Sequence, residues 1–306
     1  MSVVIPTRDR GHLLLEAVAS ALSAPVPPFE VIVADDGSTD GSVEAARLAY
    51  PQIRVVDGPF GNAARARNAG AAVARGEMLG FLDSDDVMLP GKTDRIVEQL
   101  RADGGVALVH GSIEAVDETG ASAPALTALH RARFEQGARI GLDYPGLAGF
   151  CAMFTSATVI RRTSFVAVDG YDEALDAYED WDLYLRLALV GRLEYADEVV
   201  ARYRVLRGIV AWDRTAQWTI RVAEKHLSAL PPMTPRSTAR ARYAFTRRIV
   251  ESYNVLENAR ATRRAAFGAA RIAPARALVD LAVWRPLLRS FAPPVLRRRR
   301  PPAEQP

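Results

Sequence analysis

The chain has 306 residues, of which 49% are hydrophobic, with a formal net charge of +3 and one cysteine, Cys151. Apolar content on this scale can fill a sizeable core, which excludes a wholly disordered chain. A single cysteine excludes a disulfide framework and a cysteine-based metal site, and it fits a reducing compartment.

The charge is divided unevenly along the chain. Residues 231–306 contain sixteen arginines, no lysine and four acids, a charge of +12, which leaves −9 for residues 1–230. The acidic part suits an enzyme that gathers a divalent cation, and the basic part suits an anionic surface such as phospholipid headgroups. Neither a signal peptide nor a run of about 18 apolar residues is found. We therefore expect a cytoplasmic protein held peripherally at the inner face of the cell membrane.

The first 110 residues alternate short β-branched runs with segments of helical spacing. Strands are predicted at 3–5, 31–33, 53–56, 78–82 and 107–110, and helices at 11–22, 41–49, 62–74 and 91–101. This alternation predicts βαβ units and a mainly parallel sheet with helices on both faces. Ligands should then collect at the carboxyl ends of the strands.

The pattern changes after residue 110. Residues 111–150 are rich in Gly, Ala and Pro and predict a loop-rich segment that reads the acceptor. Later elements are predicted as strands at 158–161 and 199–203, and as helices at 179–189, 215–229, 237–260 and 261–283. Residues 275–292 mix aliphatic side chains and Trp with Arg, as an interfacial helix does, and the last residues are predicted to be disordered.

The densest acidic group follows the strand at 78–82, in the run Phe81-Leu82-Asp83-Ser84-Asp85-Asp86. Carboxylates at this density repel one another, so we expect a cation beside them. Oxygen ligands at this spacing favour Mn²⁺ or Mg²⁺, and an ion with open positions can bridge the two phosphates of a nucleotide. The alternative is a solvated acidic turn that caps the helix starting near Pro90.

The run Asp35-Asp36-Gly37-Ser38-Thr39-Asp40 follows the second predicted strand. It has an ordinary interpretation as a turn, because Asp-Gly forms turns and Ser or Asp caps a following helix. The other interpretation is a nucleotide site, in which one carboxylate accepts from the imide NH of uracil and its neighbour accepts from ribose hydroxyls. Pro6-Thr7, after the first strand, should lie at the same edge of the sheet.

Arg65, Arg67 and Asn68 lie on the first turns of the helix that precedes the acidic strand. Guanidinium groups at this place pair either with phosphate or with a carboxylate such as Asp83 or Asp86. Both interpretations stay open from the sequence.

The run Glu179-Asp180-Trp181-Asp182 opens a predicted helix. Negative charge is favoured at a helix start, so capping alone would explain these acids. In the functional interpretation, one carboxylate is a general base that removes the proton of an acceptor hydroxyl, and burial beside Trp181 raises its pKa.

Taken together, these motifs resemble the inverting glycosyltransferases of family 2, which have the GT-A fold. The resemblance covers about residues 2–205 and rests on Val3-Val4-Ile5-Pro6-Thr7, Val33 to Asp40, Ala66 to Gly70, Phe81 to Asp86, Gly170-Tyr171-Asp172, Glu179 to Asp182 and Arg186. It implies an α/β fold of GT-A type, with a mainly parallel central sheet between helices and a C-terminal helical extension. Residues 1–105 would be the nucleotide-sugar-binding half, 106–214 the acceptor-binding and catalytic half, and 215–306 the extension.

The resemblance also implies roles for single residues. Its donor-binding residues would be Pro6, Thr7, Asp35, Asp36, Arg67, Asn68, Asp83 and Asp85, with Asp36 on the base and Asp35 supporting its loop. Asp86 and Asp85 would hold Mn²⁺ or Mg²⁺. Asp180 would be the catalytic base, with Glu179 and Trp181 on the acceptor side.

One position departs from the family pattern. Many relatives have a histidine two residues after the pair that corresponds to Tyr203-Arg204, and this chain has Leu206 there. A phosphate or metal contact from this loop is therefore in doubt, unless Arg204 or Arg207 replaces it. The glutamine-rich and tryptophan motif of processive polymerases is not found, so transfer of single sugars is expected.

The leading hypothesis is transfer of one sugar from a nucleotide diphosphate sugar, a UDP-sugar by preference, to a glycan or lipid-linked acceptor. One alternative is a nucleotidyltransferase, but no glycine-rich, lysine-bearing loop for a triphosphate follows the first strand. The other is a non-enzymatic protein whose arginine tail binds an anionic surface or nucleic acid. We do not expect nucleic acid as a partner, because a body at −9 repels a phosphate backbone.

Overall fold

The computed structural model describes residues 1–206 and 212–291. The chain forms two compact units, which we call the sheet unit (Met1–Asp143 and Ala152–Arg207) and the helical unit (Tyr144–Cys151 and the chain from Gly208 onward). The sequence placed this second boundary at 214/215 and assigned 144–151 to the acceptor-binding half. Both Arg207 and the predicted disordered tail lie outside the described residues.

The sheet unit is built on eight strands in the order β3-β2-β1-β4-β7-β6-β8-β5. The strands are β1 Ser2–Thr7, β2 Glu30–Asp35, β3 Arg54–Asp57, β4 Met78–Phe81, β5 Val87–Met88, β6 Val106–Val116, β7 Thr158–Arg161 and β8 Arg192–Arg204. The half formed by β3, β2, β1 and β4 is parallel, as predicted. The other half is mixed, because β7 is antiparallel to both β4 and β6, and β5 is antiparallel to β8.

Helices connect the strands and form the helical unit. Those of the sheet unit are α1 His12–Leu22, α2 Ser42–Ala49, α3 Ala63–Val73, α4 Arg95–Ala102, α5 Pro124–Ile140, α7 Arg162–Ala167 and α8 Glu179–Leu187. Those of the helical unit are α6 Tyr144–Gly149, α9 Trp212–Ser228, α10 Pro235–Val255, α11 Ala259–Ile272, α12 Pro274–Val279 and α13 Leu281–Phe291. Short 3₁₀ helices lie at Pro90–Lys92 and Thr155–Ala157.

Close packing of α3 on β1 positions part of the site. A Cβ added to Gly70 would lie 2.4 Å from Cγ1 of Val4, so only glycine lets the helix approach the strand this closely. Arg67 lies one turn before Gly70, and its side chain is buried toward the strand ends. Asn62 caps the helix by accepting from the backbone N of Arg65.

The prediction of a loop-rich segment at 111–150 was wrong, and its role in reading the acceptor stays a prediction. Strand β6 continues to Val116, and a 17-residue helix, α5, follows at Pro124–Ile140. Only Phe134 and Gly137 of α5 are fully buried, so the helix leaves little apolar periodicity in the sequence. The predicted helix 261–283 is interrupted in the structure at Ala273, before Pro274, and again at Asp280.

The helical unit has its own apolar core. Its fully buried members are Tyr243, Val250, Ala266, Ala269, Ala277, Val283 and Leu287. The hydroxyl of Tyr243 donates to Asp280 Oδ2 at 2.8 Å, which ties α10 to the junction of α12 and α13. Among the described residues, no helix is both long and apolar enough to cross a membrane.

Candidate active site

The loops after β1 and β2 are joined to each other. The two strands pair in parallel with Thr7 opposite Asp35, and the backbone N of Asp36 donates to Thr7 O at 2.9 Å. Asp9 N donates to Ser38 Oγ at 3.0 Å, and Thr39 N donates to Asp9 Oδ1 at 2.7 Å. The two loops therefore form one rigid wall at the carboxyl edge of the sheet, where the sequence predicted a nucleoside.

Asp35 and Asp36 have different surroundings in this wall. Asp35 accepts from both the backbone N and the hydroxyl of Ser38, which holds the turn. Asp36 Oδ1 accepts from Gly61 N at 2.6 Å, whereas its Oδ2 accepts from the exposed Arg8 at 3.3 Å. Oδ2 of Asp36 is thus the oxygen that a ligand can reach by displacing a surface side chain.

Asp86 is built into the protein interior. It is 2% exposed, its Oδ2 accepts from Ser156 Oγ at 2.5 Å, and its Oδ1 accepts from the backbone N of Arg204 at 2.8 Å. Burial and the neighbouring Asp83 raise its pKa well above the ordinary value. Both oxygens of Asp86 thus accept hydrogen bonds from the protein, which supports a structural role, while its role as a metal ligand stays a prediction.

Asp83 and Asp85 are the open carboxylates of the turn. Asp83 accepts from Arg67 Nη2 at 2.7 Å and remains partly exposed. Asp85 lies 3.6 Å from Arg10 Nη1, a longer contact than those of Asp83 or Asp86, and burial followed by Asp83 raises its pKa. Of the two predicted metal ligands, Asp85 is the one with the weaker contact to protein groups.

Much of the positive charge that the acidic turn needs comes from the protein. The Nζ of Lys92, fully buried, donates to Phe81 O at 2.5 Å and to Ser156 O at 2.7 Å. Burial lowers its pKa to about 7, against the attraction of Asp83 and Asp86. This lysine was not predicted as part of the site, although Leu89-Pro90-Gly91-Lys92 follows the acidic run after Val87-Met88 and a lone lysine there was the available signal.

Arg67 links the acidic turn to the start of α8. Its Nη2 donates to Asp83 Oδ1 at 2.7 Å, and its Nη1 donates to Glu179 Oε1 at 2.6 Å. The guanidinium is buried and lies 5.3 Å from the ring centroid of Tyr171. The sequence left open whether this arginine pairs with phosphate or with a carboxylate. The structure shows pairing with carboxylates, one of them, Glu179, 112 positions away in the chain.

Asn68 holds the loop that contains Tyr171 and Glu173. Its Nδ2 donates to Tyr171 O at 2.9 Å and to Glu173 Oε1 at 3.1 Å, and its Oδ1 accepts from Tyr171 N at 2.9 Å. Both N–H groups of the amide are used by these contacts, and the predicted contact with the donor stays a prediction. Asn68 fixes the loop that supports the Tyr171 ring under Arg67.

Asp180 has the environment of a proton acceptor. It is half-buried at the start of α8, and its Oδ1 accepts from Trp181 N at 2.7 Å. Burial, and after it the charge of Glu179, raise its pKa to about 7, while Arg67 acts in the opposite direction. Asp83 also acts on this pKa, which places Asp180 in the electric field of the acidic turn.

The remaining residues of the run support α8. Trp181 is 2% exposed and packs edge-on against Tyr178, so its ring lies in the core and does not offer the predicted surface to an acceptor. Asp182 is fully buried and pairs with Arg186 Nη2 at 2.7 Å. Arg186 in turn donates to Gly170 O at 2.6 Å and to Val168 O.

Arg204 does not replace the missing histidine at Leu206. Its Nη2 donates to Glu16 Oε2 at 2.7 Å, its Nε donates to Asp85 O at 2.9 Å, and its side chain is buried. The arginine fixes the acidic turn from behind, and its buried side chain donates to groups of the protein. Arg204 lies at the acidic turn, as do Arg10, Lys92 and Ser156. None of these four was predicted from the sequence as a partner of the turn.

The donor set at the turn fits a hard divalent cation. Asp85, with Asp83 nearby, offers carboxylate oxygens beside an open surface, the ligand type that Mn²⁺ and Mg²⁺ prefer. Within the described residues, no group of three or more His, Cys, Asp or Glu side chains has the geometry of a complete metal site. Any ion would therefore take much of its coordination from a bound ligand.

The sequence is similar to a glycosyltransferase family and to proteins of polysaccharide synthesis. The sequence matches the family model described as glycosyl transferase family 2 over residues 2–160. It is 28% identical over 211 residues to the chondroitin synthase of Pasteurella multocida, which covers 68% of this chain and 21% of that protein. It is 31% identical over 226 residues to the succinoglycan biosynthesis protein ExoU of Rhizobium meliloti, covering 67% and 58% respectively. The chain thus spans about a fifth of the synthase's length.

Solved structures share the fold. S. aureus TarS 1-349 in complex with UDP-GlcNAc superposes with a TM-score of 0.60 at 15% identity, covering 94% of this chain and 89% of that one. The mannosyltransferase PcManGT from Pyrobaculum calidifontis, in complex with GDP-Man and Mn²⁺, gives 0.61 at 20% identity, covering 94% and 85%. These similarities identify the GT-A fold of the chain.

Proposed function

Because the chain belongs to glycosyl transferase family 2, we propose that it moves one sugar from a nucleotide diphosphate sugar to a hydroxyl of a glycan or lipid-linked acceptor, with inversion. One observation carries the proposal. Asp180 is a half-buried carboxylate with a pKa of about 7, and Arg67, which also acts on that pKa, bonds both Glu179 beside it and Asp83 of the acidic turn.

Asp180 acts as the general base in this proposal. A pKa near neutrality lets the carboxylate accept the proton of an acceptor hydroxyl as that oxygen attacks the anomeric carbon. The new glycosidic bond forms as the bond to the nucleoside diphosphate breaks, and the leaving group departs with the electron pair. No covalent sugar intermediate is required, because attack and departure occur on opposite faces of the ring.

The wall formed by the β1 and β2 loops would hold the nucleoside. Asp36 Oδ2 can accept from the imide NH of uracil once Arg8 is displaced, and Asp83 can accept from ribose hydroxyls. The TarS structure contains UDP-GlcNAc by its title, which supports a UDP-sugar. Guanine also presents an N–H donor to a carboxylate, so the binding of GDP-sugars must be compared with that of UDP-sugars.

Asp85, assisted by Asp83, would hold Mn²⁺ or Mg²⁺. When bound, such an ion acts as a Lewis acid that stabilises the charge on the departing diphosphate. The PcManGT structure contains Mn²⁺ by its title, which supports use of a divalent ion. Arg10 lies at the same carboxylate and can turn toward a phosphate when the ion takes its place.

Calorimetric titration with UDP, GDP, UDP-GlcNAc, UDP-glucose and GDP-mannose, each with Mn²⁺ and with EDTA, tests this function. We expect metal-dependent binding of a uridine nucleotide, and slow hydrolysis of its sugar in the absence of acceptor. Asp36→Asn should weaken binding, whereas Asp57→Asn, an exposed aspartate at the end of the neighbouring β3, should not. Failure of every nucleotide to bind in a metal-dependent way would contradict the proposal.

The two alternative functions have less support. Family membership and the GT-A fold favour sugar transfer over nucleotidyl transfer. A protein that only binds an anionic surface does not need a carboxylate with a pKa near 7 beside a second acidic cluster.

A further inference from the structure

Helix α13 of the helical unit has one buried face and one exposed face. Val283, Pro286 and Leu287 are buried within the unit. On the other side, Leu281 and Leu288 are 59% and 66% exposed, and Arg285 is exposed between them. These three residues follow the spacing i, i+4 and i+7, so they form one stripe along the helix.

The stripe borders an open groove of about 790 Å³ between α10 and α13. Leu281, Leu288 and Arg285 line it on one side, together with Arg289. The acid in its lining, Glu251 of α10, is paired with Arg247 at 3.2 Å. The groove therefore combines two exposed leucines with positive charge.

The surrounding charge is complementary to an anionic surface. Residues 231–306 carry +12, and Arg297-Arg298-Arg299-Arg300 follow α13 closely in the sequence. A second cavity of the helical unit, of about 490 Å³, is bordered by Arg236, Arg240 and Arg276. Arginines on this scale attract anionic lipids, and leucines beside them can enter the boundary between headgroups and acyl chains.

We propose that the stripe formed by Leu281, Arg285 and Leu288 docks the protein on an anionic lipid bilayer. The leucines enter the headgroup boundary, and the arginines contact lipid phosphates. A lipid surface explains both features of the stripe, because nucleic acid gives no reason to expose leucines and a second copy of this chain would bring another +12 against the first. The contact is peripheral, since α13 has only 11 residues and lies along its own unit.

The test is co-sedimentation of the full-length protein with vesicles. One set contains phosphatidylglycerol and phosphatidylcholine, and the other phosphatidylcholine alone. The test variant carries Leu281→Gln and Leu288→Gln, which removes apolar contact without changing charge. The matched control carries Leu48→Gln and Leu129→Gln, two exposed leucines on α2 and α5 of the sheet unit.

Wild type and control should bind the anionic vesicles equally and bind pure phosphatidylcholine poorly. The test variant should bind the anionic vesicles about tenfold more weakly. Two leucines that become partly buried in the lipid contribute binding free energy on that scale. All three proteins should keep the same thermal midpoint, since the replaced side chains are exposed.

Three results would overturn the proposal: unchanged vesicle binding by the test variant, no binding by wild type, or equal binding to neutral vesicles. Light scattering in vesicle-free buffer checks self-association. A fall in oligomer mass caused by the leucine substitutions would identify the stripe as an interface between copies of the chain. Weaker binding to a mixed-sequence oligonucleotide, with vesicle binding intact, would identify nucleic acid as the partner.

Discussion

The acidic turn after β4 and the start of α8 both contain clustered acidic residues, and both divide them between a buried, paired position and less buried positions. Each has three carboxylates within four positions: Asp83, Asp85 and Asp86 in one, and Glu179, Asp180 and Asp182 in the other. In each, one carboxylate is buried and satisfied by protein groups.

Asp86 is held by Ser156 and Arg204, and Asp182 is held by Arg186. The other carboxylates are partly exposed, and Arg67 joins the two groups through Asp83 and Glu179. The comparison teaches that partners, and not residue type, separate the acids held by protein groups from those to which we assign chemistry.

The sharpest way to test this division is within α8. Asp180→Asn should lower kcat by about 10²–10⁴-fold, because a general base is lost, and should leave donor affinity unchanged. Its folded-state pKa of about 7 lies above the unfolded value, so this group contributes stability at low pH that is lost as the pH rises through 7. Asp180→Asn should therefore also raise the thermal midpoint at pH 8. Retained transfer would remove Asp180 from the role of base.

Asp182→Asn is the matched control for that experiment. It removes a fully buried partner of Arg186 and should destabilise the fold by about 2 kcal/mol, less than for an isolated pair because Arg186 keeps its two carbonyl contacts. Thermal unfolding measures the loss. Refolded at low temperature, this variant should retain turnover, in contrast to Asp180→Asn.

The same division is testable in the acidic turn. Asp85→Asn should weaken Mn²⁺-dependent donor binding by about 100-fold, since it removes the open carboxylate ligand. Asp86→Asn should mainly lower the thermal midpoint, because Asp86 is tied to Ser156 and Arg204. Calorimetry with Mn²⁺ and with EDTA measures the donor binding of Asp85→Asn. In the wild type, EDTA should abolish the metal-dependent donor binding. If both Asp86→Asn and Asp85→Asn lost metal dependence, the sequence prediction of two metal ligands would be right, and loss in Asp86→Asn alone would identify Asp86 as the ligand.

Arg67 is the link between the two groups. Arg67→Lys keeps the charge but cannot donate to Asp83 and Glu179 together, so we expect about a tenfold fall in kcat/KM. Arg65→Lys, on the exposed side of the same helix, is the control and should change little. Equal effects of the two substitutions would show that the link does not matter for turnover.

The smallest effect concerns pH. With a base of pKa about 7, kcat should rise with pH through neutrality and then level off, because Asp180 must be ionised to accept a proton. Glu179→Gln removes a charge that raises this pKa, so the midpoint of the profile should move to lower pH. An unmoved midpoint would mean that Glu179 does not act on the catalytic group.

Much of the fold was predictable from the sequence. β1, β2 and β4 are fully buried strands, so they appear as continuous β-branched or apolar runs, and the helices between them predict their parallel order. α5 was missed because its exposed, Ala- and Arg-rich sequence buries few side chains. Periodicity reports burial, so a helix with little burial leaves little signal.

By itself, the sequence determined the family, the acidic groups at the strand ends and the candidate base, because these depend on local runs of residues. Only the tertiary structure decided which carboxylate has which partners. The deciding contacts join positions far apart: Asp86 with Ser156 and Arg204, Arg67 with Glu179, and Asn68 with Tyr171. The free energy of a charged group depends on its burial and partners, and those are properties of the folded chain alone.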